Sequence, residues 1–228
     1  TPQPFYERLM YDPNYRRIPW RRTHLWMVDE RCVPFDDPQC NFRMIDETIV
    51  DHADIPREQV HPIFAMSPTA DVEYETLIRE TLAWREKGQD RLDFVLLGMG
   101  ADGHTASLFA FSDALREENR LVRFNVSANA TPAERVTMTY PLINSARFIA
   151  VLVTGAAKAA TLQHVVLGKG SKEELPIRGV APVIRIVHQP LIKRLRRRPA
   201  RQCQMKIAEL PHAIFRMNHQ IGGQSVDH

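Results

Sequence analysis

The sequence contains few cysteines and no long apolar run, and both absences exclude whole classes of protein. Its 228 residues include three cysteines, Cys32, Cys40 and Cys203, and none shows C-x-x-C spacing, so a disulfide framework or a cysteine metal site is not expected. No stretch approaches the roughly 18 consecutive apolar residues of a membrane span, and no signal-peptide pattern opens the sequence. We therefore predict a cytoplasmic protein that has no membrane partner.

Net charge is also small, at +3, and gives no general reason to expect a nucleic-acid partner. The exception is the stretch 191–201, which concentrates lysine and arginine without one acid. Such a run can bind nucleic acid or a membrane surface, but a solvated tail is the commoner outcome. We predict one substantial domain over 1–188 and a basic, poorly ordered tail over 189–228.

The chain is organised around residues 92–109, LDFVLLGMGADGHTASLF. The apolar run 92–97 predicts a strand that is buried on both faces, as in a parallel sheet. Gly98, Gly100 and Gly103 follow within six residues and predict a shaped turn, because glycine tolerates positive φ and close backbone approach. Residues 105–109 are predicted to begin a helix, whose first N–H groups would favour an anion.

His104 lies in this turn with an acid, Asp102, two residues before it. An unperturbed imidazole has a pKa of about 6.5, so it can take a proton from water at neutral pH. This makes His104 a candidate general base at the carboxyl edge of a sheet. A hydrogen-bonded structural histidine is an equal alternative from these residues alone.

A second candidate site follows the predicted strand 23–28, where Asp29, Glu30 and Arg31 are adjacent. Such a cluster is costly unless the charges pair or meet a ligand. A surface salt bridge is one interpretation. A binding site is the other, because the planar guanidinium of Arg31 can hold a phosphate or carboxylate through two hydrogen bonds.

A third candidate, Lys158, follows the predicted strand 148–153 and lies in the first turn of a helix predicted over 156–167. A cation there opposes the helix dipole, and an anionic ligand would offset the penalty. A solvated lysine is the alternative. Further helices are predicted over 1–9, 41–50 and 67–85, and further strands over 121–126 and 183–187. This order predicts an α/β protein with three α/β/α layers and a mostly parallel, Rossmann-like sheet.

Four blocks of the sequence resemble the 6-phosphogluconolactonase family, in the superfamily that includes the glucosamine-6-phosphate deaminases. They are DERCVP at 29–34, GMGADGHTASLF at 98–109, RVTMTYPLINSA at 135–146 and LVTGAAKA at 152–159. The resemblance covers about residues 1–182. Family members carry a glycine- and serine-containing turn that ends in Thr-Pro, after an earlier strand and helix. Thr1 and Pro2 resemble the end of that turn, so the first strand and most of a phosphate-binding loop are expected to be missing.

The resemblance implies hydrolysis of 6-phospho-D-glucono-1,5-lactone to 6-phosphogluconate, in the oxidative pentose phosphate pathway, with no cofactor and no metal. It implies that His104 activates water and that Asp102 or Asp29 orients its imidazole. Arg31 and the backbone of the glycine turn would stabilise the oxyanion. The residues implied to bind the substrate and its phosphate are Lys158, Arg135, Gly100, Gly103 and Thr1.

Three alternatives remain open beside this function. The deaminases share the G-x-G-x-D-G-H turn, but their pattern places a glutamate five residues after the histidine, where this sequence has Phe109. The second is a catalytically impaired relative that binds sugar phosphates. The third is one module of a bifunctional chain that also carries a glucose-6-phosphate dehydrogenase, or a protein acting beside that enzyme. A monomer or weak homo-oligomer is expected.

Overall fold

The computed structural model of the chain describes residues 2–13, 18–83 and 91–181, together with the backbone of residues 184–187. Thr1, the predicted domain boundary at residue 188 and the predicted tail over 189–228 lie outside the described residues. Within those residues, no helix is both long enough and apolar enough to cross a membrane.

The elements are numbered in chain order. The strands are β1 (Leu25–Trp26), β2 (Asp29–Arg31), β3 (Val60–His61), β4 (Phe94–Gly98), β5 (Val122–Val126), β6 (Glu134–Met138), β7 (Phe148–Val153) and β8 (Ile184–Val187). The α-helices are α1 (Gln3–Tyr11), α2 (Asn41–Ile45), α3 (Ala70–Thr81), α4 (Tyr140–Ser145) and α5 (Ala159–Val166). A π-helical turn follows α2 at Asp46–Val50, and 3₁₀ turns occur at Trp20–Arg22, Arg57–Gln59, Asp113–Arg116, Ala156–Lys158 and Pro176–Gly179.

The apolar runs of the sequence form a parallel sheet in the order β4–β7–β8. Val95 pairs with Ile149 and Leu97 pairs with Val151, and each of these four side chains is at most 6% exposed. Strands buried in this way carry apolar residues at successive positions, so both could be predicted from the sequence. A second parallel pair joins β1 to β3. The predicted α/β class with parallel sheets is confirmed.

A third sheet is antiparallel, in the order β2–β6–β5, and only β5 was predicted as a strand. Asp29 pairs with Thr137 and Arg31 pairs with Arg135, so one face of this sheet is polar because side chains alternate along a strand. On the opposite face Val136 is completely buried, with Glu30 as its cross-strand partner. Strands β2 and β6 contain no apolar run because one face of each is polar, so their sequences do not indicate a strand.

Helix α3 anchors the β1–β3 pair to the core. It begins at Ala70 and ends at Thr81, so it is shorter than the predicted helix over 67–85. Its Tyr74 is 3% exposed, and the Tyr74 hydroxyl accepts a hydrogen bond from the Met27 N–H at 2.8 Å. The same hydroxyl lies 3.0 Å from the Met27 carbonyl oxygen, to which it can donate.

The loop before β5 is held by the carboxylate of Glu117. Its Oε1 accepts hydrogen bonds from the backbone N–H groups of Glu118, Asn119 and Arg120, at 3.1, 2.9 and 3.0 Å. Oε2 accepts from Arg123 Nη1 at 2.7 Å. The bonds from the Arg120 and Asn119 N–H groups, more than the ion pair with Arg123, lower the pKa of Glu117 from 4.5 to about 2.

This pKa makes the contribution of Glu117 to stability dependent on pH. At pH 7 we expect Glu117→Gln to lower the free energy of unfolding by about 1–3 kcal/mol, because the N–H groups then meet a neutral acceptor. A folded pKa below the unfolded value stabilises the fold above pH 4.5 and ceases to do so as the pH falls towards 2. Urea unfolding at several pH values should show the difference from wild type shrinking over that range. Glu118→Gln, at the exposed neighbour, is the control, and a difference that does not vary with pH would contradict this account.

Candidate active site

The glycine turn after β4 is closed by its own backbone. The Gly100 N–H donates to the His104 carbonyl at 2.8 Å, and the Gly103 N–H donates to the Gly100 carbonyl at 3.2 Å. Gly103 has a φ of 87°, in the left-handed region that favours glycine. Because both N–H groups are used inside the turn, they are not free to stabilise an oxyanion, and the glycines act here by shaping the backbone.

The turn brings Asp102 and His104 into direct contact. Asp102 Oδ1 lies 2.6 Å from His104 Nδ1 and accepts a second hydrogen bond from the His104 backbone N–H at 3.2 Å. A proton on Nδ1 would be donated to this carboxylate, which leaves Nε2 as the nitrogen that can accept a proton. The His104 side chain is 35% exposed, so water can reach it.

Asp102 is suited to remain ionised beside the imidazole. Partial burial opposes its ionisation, but the charge on His104 and the two hydrogen bonds from that residue hold the pKa of Asp102 below its usual range. Of the two acids predicted to orient His104, Asp102 is therefore the one in hydrogen-bonding contact with the imidazole.

Only glycine fits at position 100 of this arrangement. A Cβ atom built there would lie 2.2 Å from His104 Nδ1 and 2.4 Å from Asp102 Oδ1. Both distances are far below van der Waals contact, so any side chain would displace the pair. The first glycine of the G-x-D-G-H sequence is therefore required for steric reasons.

The helix predicted over 105–109 is not formed. The segment is a tight turn with a bridge between Thr105 and Leu108, and Ala106 has a φ of 49°. The Thr105 hydroxyl donates to the Gly98 carbonyl at 2.8 Å. Side-chain bonds to the backbone compete with helix formation, so no helix N-terminus faces the site here.

Asp29 lies beside this turn but bonds a different residue. Its Oδ2 accepts a hydrogen bond from the Ser107 hydroxyl at 2.6 Å. Burial raises the pKa of Asp29, and the Ser107 bond and the charges of Arg31, Arg135 and His104 partly offset that effect. These interactions show that β2, β6 and the glycine turn meet around this carboxylate.

The two arginines of the antiparallel sheet are direct cross-strand partners, Arg31 on β2 and Arg135 on β6. Desolvation and the charge of Arg31 lower the pKa of Arg135, which is 6% exposed. Like charges directly opposite one another are destabilising. Among the described residues, neither guanidinium has a carboxylate at ion-pair distance. The arrangement favours an anionic ligand.

Both guanidiniums are fixed by neutral acceptors. Arg31 Nη1 donates to the Gln39 carbonyl at 2.6 Å and to Asn41 Oδ1 at 2.7 Å, and Arg135 Nη1 donates to the carbonyls of Pro132 and Glu134. These bonds orient the cations without neutralising them, and within the described part of the chain Arg31 does not form the surface salt bridge considered for it.

Glu30, between Asp29 and Arg31, has a structural role instead. It is 1% exposed, and its carboxylate accepts hydrogen bonds from the backbone N–H groups of Asn41 and Phe42 at 2.8 and 2.7 Å. An acid at the start of α2 is favourable because a helix begins with unpaired N–H groups.

Lys158 immediately precedes α5, the helix that bonds the glycine turn. Thr161, three residues later, donates from its hydroxyl to the Ala101 carbonyl of that turn. Residues three apart share one helix face, so Lys158 is placed on the side of α5 that meets the turn. It is half-buried, and its ammonium has no partner among the described residues. The predicted contribution of Thr1 lies outside the described residues.

Sequence reasoning missed several residues of this site. Tyr6 of α1 is one, because burial and the charge of Asp29 raise its pKa to about 12. Ser107, Thr137 and Asn125 form the polar contacts below the turn. The sequence gives no signal for Tyr6, because only tertiary packing brings it near Asp29. In the part of the chain that the structure describes, no group of three or more His, Cys, Asp and Glu side chains is placed to hold a metal ion.

Comparison with known proteins gives consistent matches. The family model described as glucosamine-6-phosphate isomerases/6-phosphogluconolactonase matches residues 1–187. A Synechocystis protein named 6-phosphogluconolactonase is 35% identical over 185 residues, which cover 80% of this chain and 74% of that protein. The human GDH/6PGL endoplasmic bifunctional protein is 38% identical over 170 residues, 72% of this chain, and the chain spans only 21% of that relative. The crystal structure of 6-phosphogluconolactonase from Thermotoga maritima is 33% identical, with a TM-score of 0.68 and coverage of 82% of this chain and 79% of that one.

The steric argument at Gly100 gives a direct test of the Asp102–His104 pair. We expect Gly100→Ala to separate the two side chains, so the low-field Nδ1–H proton resonance of His104 should be lost from the NMR spectrum. Gly98→Ala is the matched control, because a Cβ atom built at Gly98 meets nothing within 4 Å. Retention of the His104 resonance in folded Gly100→Ala would contradict the geometry.

Proposed function

The chain belongs to the glucosamine-6-phosphate isomerase/6-phosphogluconolactonase family, and we propose that it hydrolyses 6-phospho-D-glucono-1,5-lactone to 6-phosphogluconate. This is a step of the oxidative pentose phosphate pathway. The observation that carries the proposal is the Asp102–His104 pair, joined at 2.6 Å on a solvent-accessible turn. The cations of Arg31 and Arg135 lie in the same electrostatic environment, around Asp29.

The chemistry needs an activated water and a place for negative charge. His104 Nε2 removes a proton from water as the oxygen attacks the lactone carbonyl carbon, and Asp102 stabilises the imidazolium that forms. Collapse of the tetrahedral intermediate breaks the bond between that carbon and the ring oxygen. The imidazolium then returns its proton to the leaving oxygen. General-base assistance of this kind contributes about 10²–10⁴-fold in rate.

We assign the oxyanion to Arg31, since the N–H groups of Gly100 and Gly103 bond within the turn. A well-placed donor is worth about 3–4 kcal/mol of transition-state stabilisation. Arg135 is largely buried and supports the positive potential next to Arg31. Lys158, beside the turn and unpaired among the described residues, is proposed to hold the 6-phosphate.

The deaminase alternative is disfavoured by the residue that packs on the imidazole. The Phe109 ring centroid lies 5.1 Å from that of His104, at the position where the deaminase pattern has a glutamate. An apolar ring cannot transfer a proton, so the acid of that pattern is missing. Two assays distinguish these activities: acid release from the lactone indicates a lactonase, and ammonia release from glucosamine 6-phosphate indicates a deaminase.

The cellular context remains a set of proposals. The human relative is named a GDH/6PGL bifunctional protein, and this supports the prediction that the chain is joined to a dehydrogenase or acts beside one. A cytoplasmic location and a monomer or weak homo-oligomer stay predictions. The cytoplasmic location rests on the scarcity of cysteine in the sequence.

Removal of the base tests the proposed function. We expect His104→Ala to lower lactone hydrolysis by about 10²–10⁴-fold, because general-base assistance is lost while Arg31 is unchanged. The measurement is acid release with an indicator, corrected for lactone opening without enzyme. His164→Ala, at an exposed position of α5, should behave as wild type. Near-full turnover by folded His104→Ala would exclude His104 as the base.

A further inference from the structure

Each polar group of Ser107 forms a hydrogen bond. Its hydroxyl donates to Asp29 Oδ2 at 2.6 Å, and its backbone N–H donates to Thr137 Oγ1 at 3.2 Å. Its carbonyl accepts from Asn125 Nδ2 at 2.8 Å. The three partners belong to β2, β6 and β5, so each strand of the antiparallel sheet contributes one bond.

The strand register explains why these partners converge. Asp29 and Thr137 are opposite one another. Asn125 is opposite Arg135, and Arg135 lies two residues before Thr137 on β6. Side chains two apart share a face, so all three project from the polar face of the sheet. Ser107 and Thr137 are at most 1% exposed and Asn125 is 6% exposed.

The backbone between Ser107 and His104 needs such an anchor. Ala106 has a φ of 49°, a conformation that residues with a side chain rarely adopt and that persists only where the surroundings enforce it. On the other side, Thr105 is fixed by its hydrogen bond to the Gly98 carbonyl. His104 therefore precedes a segment whose path is set by Thr105 and Ser107.

We propose that Ser107 is a positioning residue for His104, a role that rests on the proposed lactone hydrolysis. Through Asp29 it ties the turn that carries the base to the strand that carries Arg31. It thereby fixes the separation between the group that activates water and the group that stabilises the oxyanion. Lys158 lies next to α5 and not on the sheet that bonds Ser107, so loss of the Ser107 bonds is expected to leave the phosphate contact in place.

The test compares Ser107→Ala with Ser112→Ala. Ser112 is the matched control, because its hydroxyl contacts Asn125 at 3.2 Å but does not bond Asp29. A displacement of about 1 Å can cost about 10²-fold in rate, and we expect Ser107→Ala to lower kcat by about 10- to 100-fold with KM unchanged. The histidine NMR spectrum should show a shifted or broadened His104 imidazole signal in Ser107→Ala alone.

If Ser107→Ala does not fold, Thr137→Val replaces it, because this variant keeps the shape of the side chain and removes the acceptor of the Ser107 N–H, together with the hydroxyl's own bond to the Met138 carbonyl. It should lower kcat and move the same His104 signal. Wild-type kcat with an unmoved His104 signal in the folded variant would overturn the proposal, and so would an equal loss in Ser112→Ala. A wild-type chain without lactonase activity would reject the proposed function instead, while the NMR comparison would still decide whether Ser107 positions His104.

Discussion

The hydrogen bond between Asp102 and His104 is the interaction that the neighbouring structure has to protect. Its two ends lie only two residues apart, so the backbone must double back within one turn to bring them to 2.6 Å. That path leaves no space for a side chain at Gly100 and places Gly103 at positive φ. The bond determines which imidazole nitrogen can accept a proton, and therefore where water must lie to be activated.

Two sheets with different properties supply the two halves of the candidate site. The parallel strands β4 and β7 are held by buried apolar side chains, and they present the glycine turn at the carboxyl end of β4. The antiparallel sheet presents Asp29, Arg31 and Arg135 on a polar face. Two facing guanidiniums repel one another, and the pKa of Arg135 is lowered although the charge of Asp29 opposes this effect. A bound anion, such as a phosphorylated lactone or its oxyanion, would offset the repulsion.

The parts that could be predicted from the sequence are those set by local pattern. Apolar runs identified β4 and β7, and the string around His104 identified the turn that holds the Asp102–His104 pair. Strand β6 was not predicted, because Arg135 and Thr137 give it one polar face and its sequence therefore contains no apolar run. The prediction of a helix after His104 was wrong. The hydroxyls of Thr105 and Ser107 bond groups that are distant in the sequence, and the segment does not form the regular hydrogen bonds of a helix. The electrostatic influence of Asp29 on Tyr6 depends on tertiary packing, so spacing along the chain cannot reveal it.

The most direct test of the account is kcat/KM for lactone hydrolysis by Asp102→Asn. An amide can present its N–H to Nδ1, which would leave the proton on Nε2 and remove the acceptor that the mechanism needs. With Asp113→Asn, an exposed substitution, as the control, the account predicts a fall of about 10²–10⁴-fold for Asp102→Asn. A folded Asp102→Asn variant with wild-type kcat/KM would contradict the claim that this carboxylate sets the function of His104.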